Sequence, residues 1–401
     1  MRRFLMVAVC AAVLAACNQS GQKKGNEIAV LDVEMAMDNY QPVKLSDYVA
    51  SIDYIPFETG EDCQFGKSRY YPFEGGVIVT TLYPYCDCYV FDNEGDFKGK
   101  VGSRGNAENE YTLLEHLTVN EDRGEIFIYG IIDRFAKVYD LNTFAYKRKQ
   151  SIGSGITGDG YQTLETAAIG NYFAVYGTNY NTNTPACFFI DENDKIVKVD
   201  SLAYAGSEYS PEEVMFTRKK NGVRVSASND VLVLNYDLSD TLYVFDKDLN
   251  KSAGYIMDYG KYRLNKDISN RDNSVSFNAR MMYDTENFLV IQTIVNTNER
   301  VRFMPIDNDI GRTAYLLYDK ASGKSHMLPY YEEVSSSAFE NDVDGGAPFA
   351  IKFIKGNKLY QIIEAIDFID FADRSNSAKM KTVAATLDEE SNPVLVVATL
   401  K

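Results

Sequence analysis

The densest set of oxygen ligands in this chain is Asn341-Asp342-Val343-Asp344-Gly345-Gly346. Its D-x-D-G spacing is that of a calcium loop, in which alternate side chains turn carboxylates toward one hard cation. The third carboxylate and the distal Glu of an EF-hand are missing. Asp342 and Asp344 are therefore a candidate Ca²⁺ pair, beside the alternative of a turn built by Asp and Gly. A second polar group is Arg104, Glu110 and Tyr111 in the segment GSRGNAENEY, followed by His116. These residues suit a ligand-binding rim, or else a loop fastened by an Arg–Glu pair and a Tyr. His116 has the chemistry of a proton carrier, with a satisfied channel residue as the alternative. Arg300, Arg302 and Arg312 could contact an anionic ligand, or remain solvated. Tyr330 and Tyr331 could stack on sugars, or pack at an edge.

Enzyme signatures do not occur: there is no G-x-S-x-G elbow, P-loop, H-E-x-x-H helix or dinucleotide fingerprint. A carboxylate pair for glycoside chemistry needs no contiguous motif and stays open. Cys63, Cys86, Cys88 and Cys187 are too few and too irregular for a disulfide framework. Cys86 and Cys88, two apart on an expected strand, share a face. A bridge from Cys63 to one of them and four free thiols are both open. Zinc is disfavoured, since His116 and His326 lie on different repeats.

The elements that must position these groups recur. YVFDNEGDFKGKVG, Tyr89 to Gly102, reads as a β-hairpin whose first strand ends in Asp92. An apolar pair, an Asp and a short polar turn return at Asp140, Asp191, Asp246 and Asp319, at intervals of 48, 51, 55 and 73 residues. That period is the blade of a β-propeller. Each Asp is expected to close its turn by accepting backbone N–H groups two or three residues on. Phe91, Tyr139, Ile190, Phe245 and Tyr318, just before them, are expected to pack between neighbouring sheets.

The pattern predicts six blades. The last has strands Phe349–Ile354 and Lys358–Ile363, a helical stretch Ile366–Leu387 broken near Asn376, and a strand Val394–Leu400. Blade six is one strand short and the amino end has one to spare, so Ser51–Phe57 is expected to pair with Val394–Leu400 and close the ring. The long segment Asn296–Arg312 within blade five accounts for the stretched interval, and a loop of that length is uncommon without a use.

Met1 to Cys17, MRRFLMVAVCAAVLAAC, reads as an export signal. Its Leu14-Ala15-Ala16-Cys17 ending resembles the bacterial lipobox and predicts lipidation of Cys17, against an ordinary cleaved signal or an uncleaved anchor. Residues 18–40 are expected to be a flexible tether reaching on the order of 25 Å, and 41–401 the propeller. No acidic cluster follows Cys17, which favours the periplasmic face of the outer membrane over the cell surface. Net charge is −16, becoming −18 without Arg2 and Arg3. Such an acidic body repels phosphates, so nucleic acid is not an expected partner.

Four stretches, VKLSDYVASIDYIPFET at Val43, YVFDNEGDFKGKVGSRGNAENEY at Tyr89, NDVDGGAPF at Asn341 and NPVLVVATLK at Asn392, together resemble the six-bladed β-propeller lipoproteins of Bacteroidetes, relatives of the NHL-repeat propellers. Asn106-Ala107-Glu108 departs from that family's Gly-Pro-containing turn. The resemblance implies fold and compartment and no settled activity. The leading reading is a lipid-anchored, non-enzymatic envelope propeller that binds a glycan, another ligand or a protein partner, with no resident cofactor. The alternatives are a propeller hydrolase or lyase on glycans and an accessory subunit of an outer-membrane uptake complex.

Overall fold

The computed structural model describes residues 28–38, 41–130, 135–152, 156, 159–179, 182, 184–202, 223–228, 230–236, 239–262, 276–296 and 312–401. The signal, Cys17, the expected tether as far as residue 27, and Arg300 and Arg302 lie outside them.

Strand β1 (Ala29–Asp32), helix α1 (Val33–Asp38) and strand β2 (Val49–Pro56) precede the first complete blade. Blade one is β3 (Ser68–Phe73), β4 (Gly76–Thr81), β5 (Cys88–Asp92) and β6 (Phe97–Lys100); blade two is β7 (His116–Asn120), β8 (Glu125–Tyr129), β9 (Phe135–Asp140) and β10 (Tyr146–Ser151). Blade three follows as β11 (Tyr161–Ile169), β12 (Tyr172–Asn179), β13 (Pro185–Ile190) and β14 (Ile196–Ser201), and blade four as β15 (Val223–Ser228), β16 (Val231–Tyr236), β17 (Thr241–Phe245) and β18 (Lys251–Asp258). Blade five is β19 (Ser276–Asp284), β20 (Phe288–Asn296), β21 (Arg312–Asp319) and β22 (Lys324–Met327). A small bridge, β23 (Tyr330–Tyr331) with β24 (Ser336–Ser337), leads to β25 (Phe353–Lys355), β26 (Lys358–Ile363), helices α2 (Ala365–Arg374) and α3 (Ala378–Ala384), and β27 (Val394–Leu400).

Every blade is an antiparallel sheet, and blade six has the order β2-β27-β26-β25. The chain is thus an all-β six-bladed propeller closed by its own two ends, with the helical insertion in the last blade. Closure runs from Val49 opposite Leu400 to Pro56 opposite Val394. The Lys401 amide adds a bond to the Tyr48 carbonyl at 3.0 Å.

Sheets packed on both sides demand apolar residues on both faces of a strand. Accordingly β4, β8 and β13 are buried at every position, whereas the outer strands β6 and β14 alternate with solvent. The core is a set of wedges between blades. One cluster joins blades one and two, others join two to three, three to four and four to five, and the largest spans five, six and one. Aromatic rings cross these seams: Phe127–Phe173 at 4.5 Å, Phe189–Phe245 at 5.2 Å, Phe57–Phe91 at 4.9 Å and Tyr48–Phe288 at 5.1 Å. Each such pair contributes about 0.5–1.5 kcal/mol beyond its buried area. Phe91, Tyr139, Ile190, Phe245 and Tyr318 are all buried in these seams, as their spacing predicts.

The repeated aspartates close their turns. Asp92, Asp191 and Asp246 each accept, on Oδ1, the amides two and four residues on, at 2.8 to 3.0 Å. Asp140 takes the amides of Asn142 and Thr143, and Asp319 that of Ser322. Glycine at position 95 is required by the first of these turns: its φ is +89°, and a Cβ would lie 2.3 Å from the Pro56 carbonyl oxygen.

Three expectations change. Residues 28–38, inside the expected tether, are ordered: β1 adds a parallel fifth strand to β18, and Leu31, Val33, Ala36 and Met37 bury in the seam between blades four and five. Four apolar side chains offset the ordering cost that keeps a polar linker loose. Phe349 does not begin a strand of blade six but bonds both ways with Phe339, leaving only Phe353–Lys355 inside. Cys86 lies ahead of β5 with φ 56°, and Cys63, Cys86, Cys88 and Cys187 are buried free thiols. Burial pushes the Cys88 and Cys187 thiols up, away from reactive thiolate.

Truncating the closing strand by Ile52→Ala, a fully buried position, should cost about 2–5 kcal/mol. Urea unfolding should remain one transition, because each wedge needs the next; two separated transitions would contradict closure by these strands. Asp140 and Asp319 have carboxyls held below the usual range, Asp140 by the amide bonds of its turn, Asp319 by its bonds to Ser322 and Tyr48 against an opposing desolvation. Their depressed folded-state values stabilise above the unfolded pKa near 4, and that contribution is lost as pH falls through the folded values. Asp140→Ala and Asp319→Ala should therefore lower the urea midpoint at pH 7 and change it less at pH 3.

Candidate functional site

Strand direction alternates within each blade, so the turns after first and third strands leave at one end of the ring. Connections after second and fourth strands leave at the other. The five repeated aspartates mark the first, the turn face. Arg104, Glu110, Tyr111 and His116 belong to the second, the crossing face.

On the crossing face, the loop after β6 is built around Tyr111, which is buried and donates its hydroxyl to the Cys86 carbonyl at 3.0 Å. Its backbone bonds to Ser103 and Gly105. Glu110 folds back over Gly105, where a Cβ would collide with its carboxylate at 1.8 Å, and accepts the Ala107 amide at 2.9 Å. Arg104 does not pair with it. Its guanidinium donates to the Pro84 carbonyl at 2.5 Å and lies 5.3 Å from the Tyr83 ring. Glu110 and Tyr111 thus fasten the loop, and the exposed groups on the rim include Arg104, Glu108, Tyr83 and Tyr85.

His116 starts the inner strand of blade two and stacks on Tyr129, ring centroids 6.2 Å apart. Burial holds its imidazole below the ordinary value, with the Arg69 charge adding to the effect and Glu165 opposing it. It is therefore neutral at pH 7. Glu165 accepts the Tyr176 hydroxyl at 2.8 Å, and Arg69 donates to the Glu115 carbonyl. Further round the same mouth, Glu364 is pushed up by desolvation and by Asp367, and the Lys352 ammonium down by desolvation, although water reaches both side chains.

Along the axis runs a cavity of about 440 Å³ to which every blade contributes, with Tyr70, Thr118, Thr166, Val231, Tyr283 and Phe353 among its walls. Among the described residues the inner strands β3, β7, β11, β15, β19 and β25 each end their sheet, so the sheets turn these edges toward the axis. Thr118 and Thr166 share a hydroxyl bond of 2.8 Å across blades two and three. Toward the turn face the cavity ends in charges. Glu121, from the first turn of blade two, pairs with Lys355 of blade six; its neighbour Asp122 pairs at 3.2 Å with Lys247 of blade four, which also holds Asp230 at 2.9 Å. The Glu121–Lys355 and Asp122–Lys247 pairs link blades that do not touch in the ring order, and the Lys247–Asp230 pair lies within blade four.

Asp342 and Asp344 turn to two separate sets of protein donors. Asp342 takes the Ser46 amide at 2.9 Å and hydroxyl at 2.7 Å. Asp344 takes the Tyr54 hydroxyl, the Asn341 amide nitrogen, the Gly346 N–H and the Ser377 hydroxyl, all within 3.1 Å. That carboxylate is a clasp joining the closing strand β2, the linker and the cap of α3. Among the described residues no three His, Cys, Asp or Glu gather as metal ligands. Arg312 opens β21 rather than a free loop, and Tyr330 and Tyr331 form the two-residue bridge.

Sequence reasoning brings together Arg104, Glu110 and Tyr111, but misses the charges at the turn-face end. They sit in hairpin turns up to 234 residues apart. The one signal was that Lys247 directly follows the repeat aspartate Asp246.

Residues 28–399 match a family model described as "Domain of unknown function (DUF4934)". No curated protein sequence matches the chain. Among solved structures, a putative exported protein from Bacteroides fragilis superposes with TM-score 0.61 at 12% identity, covering 94% of this chain and 100% of that one. A member of the DUF4221 family from Bacteroides vulgatus gives 0.42 at 11% identity, with 88% and 97% covered. The first of these likenesses supports the fold and, at that identity, the fold alone.

Replacing the clasp by Asp344→Ala leaves four donors without their acceptor and should cost roughly 2–4 kcal/mol. Asp342→Ala should cost less, its bonds being on an exposed side chain. Both losses should appear in chemical denaturation with chelator present; a loss seen only with calcium would overturn the clasp.

Proposed function

This chain belongs to the DUF4934 family, and we propose that it is a lipid-anchored cell-envelope propeller that binds a small polar ligand in its axial channel. The observation that carries the binding reading is the cavity itself. Its volume falls in the range of small-molecule sites, its walls mix aromatic rings with hydroxyls, and charges of both signs stand at one end. Rigid blades hold these groups in place before binding, which lowers the ordering cost of association.

The anchor reading rests on the Leu14-Ala15-Ala16-Cys17 signal. A supporting likeness is the Bacteroides fragilis structure, whose protein is described as exported. The anchor leaves the chain at a membrane surface through acyl chains; among the described residues no helix is long and apolar enough to cross one. A periplasmic rather than surface orientation is favoured by the segment NQSGQKK directly after Cys17, which carries no acidic cluster. A second reading, a hydrolase or lyase on glycans, is favoured by the Glu364 carboxyl beside Lys352, which desolvation raises in the direction a general acid needs. Glu364→Gln would abolish such turnover and leave ligand binding intact.

Two experiments test the main reading. Cys17→Ala should move the protein from the membrane fraction to the soluble fraction and end labelling by a fatty-acid analogue; unchanged fractionation would sink the anchor. In a thermal-shift screen of the full chain against metal ions, monosaccharides, envelope glycans and short peptides, one class should raise the melting temperature in a saturable way. Ala168→Phe, on the cavity wall, should remove that rise. A rise that survives would place the ligand outside the channel, and no rise from any class would make a protein partner the better account.

A further inference from the structure

We infer that the channel takes a ligand carrying both a free ammonium and a free carboxylate, namely a short peptide or an amino acid, which exchanges its charges with the ion pairs at the turn-face end. This rests on the channel reading above and names its ligand class.

The charges there are few and paired. Glu121 faces Lys355, and Lys247 faces Asp122 and Asp230. All five line the cavity. Their side chains keep contact with water: 27% for Glu121, 34% for Lys355, and 41% and 42% for Lys247 and Asp122. Ion pairs so exposed contribute little to stability, so parting one costs little if both halves are re-paired.

That condition selects the ligand. A purely anionic molecule that captures Lys355 leaves Glu121 beside it without a cation, and a purely cationic one leaves the lysine. A neutral sugar re-pairs neither. A zwitterion satisfies both halves at once, its ammonium on Glu121 or Asp122 and its carboxylate on Lys355 or Lys247, and the pairing disfavours ligands of single charge. The rest of the cavity suits the body of such a molecule. Leu117, Val119, Val231 and Phe353 present apolar surface for a side chain, and the sheet edges formed by β3, β7 and β25 present peptide N–H and C=O groups for a backbone.

The position of these pairs adds a consequence for the ring. Glu121 also accepts the Glu74 amide of blade one, so the first turn of blade two is tied to blades one, four and six together. A ligand that replaces Lys355 or Lys247 as partner takes up that bracing role, and binding should be read as stabilisation of the whole propeller rather than of one blade.

The test is calorimetric titration of the full chain in detergent at pH 7 with glycyl-leucine, with N-acetyl-glycyl-leucinamide, and with maltose. Glycyl-leucine should bind saturably and the doubly blocked form at least about tenfold more weakly, tenfold being about 1.4 kcal/mol. Glu121→Gln and Lys355→Gln should each weaken glycyl-leucine by about tenfold, with circular dichroism and cooperative melting unchanged; Asp122→Asn serves as a third variant. Equal binding of the blocked dipeptide, or no effect of any variant, would overturn the inference. Maltose binding that Ala168→Phe abolishes would leave the channel reading standing and remove the zwitterion. Absence of binding by all three probes at millimolar concentration would sink the inference, and the screen above then decides the channel reading separately.

Discussion

The fold depends on one backbone pairing, that of β2 with β27. Six sheets arranged about an axis bury their faces only if every sheet has two neighbours, and a linear array would leave two apolar faces and two unpaired edges. By lending a strand from the amino end to the last blade, the chain removes both at once. The seam that results is the largest apolar cluster among the described residues, and it includes residues from blades five, six and one. Local stability therefore becomes a property of the ring: loss of the closing strand opens wedges on either side of blade six.

Much of the polar architecture secures this closure. Asp344 draws together Tyr54 of the closing strand and Ser377, whose hydroxyl caps α3 by accepting the Met380 amide at 3.1 Å. Asp342 holds Ser46 just ahead of that strand. Asp319 closes the blade-five turn and also accepts the Tyr48 hydroxyl at 3.0 Å. Each carboxylate accepts several donors, which for Asp344 and Asp319 is how a charge is kept at low cost in a half-buried place. A second brace lies far from the first, where β1 and α1 cover the outer edges of blades four and five.

The two faces of the ring differ because the connections differ. At the turn face, short hairpins bring charges of both signs to the axis, and the pairs they form reach past neighbouring blades. The crossing face carries the longer connections, with His116, Glu165 and Arg69 at the mouth and Tyr83, Tyr85 and Arg104 on the rim. Burial shifts the titration of His116 and Glu364 there in opposite chemical directions, lowering the basic group and raising the acidic one, as desolvation must. An axial cavity whose two ends differ in charge and connection length results.

The amino-acid sequence determined whatever is local or repeated. Apolar alternation located nearly all the strands, the five aspartates located their turns, and the surplus strand at one end against the deficit at the other announced closure; the helix break fell where Ser375 to Ser377 separate α2 from α3. These succeed because turn chemistry and strand period act over a few residues. The tertiary structure alone decided what depends on convergence. D-x-D-G looked like an ion loop until Tyr54 and Ser377, distant in sequence, claimed the carboxylate of Asp344. Residues 28–38 looked like linker because β1 is only four residues long and gains its burial from another blade's edge. The paired charges on the axis left almost no sequence pattern, since blades two, four and six supply them and only the closed ring sets them face to face.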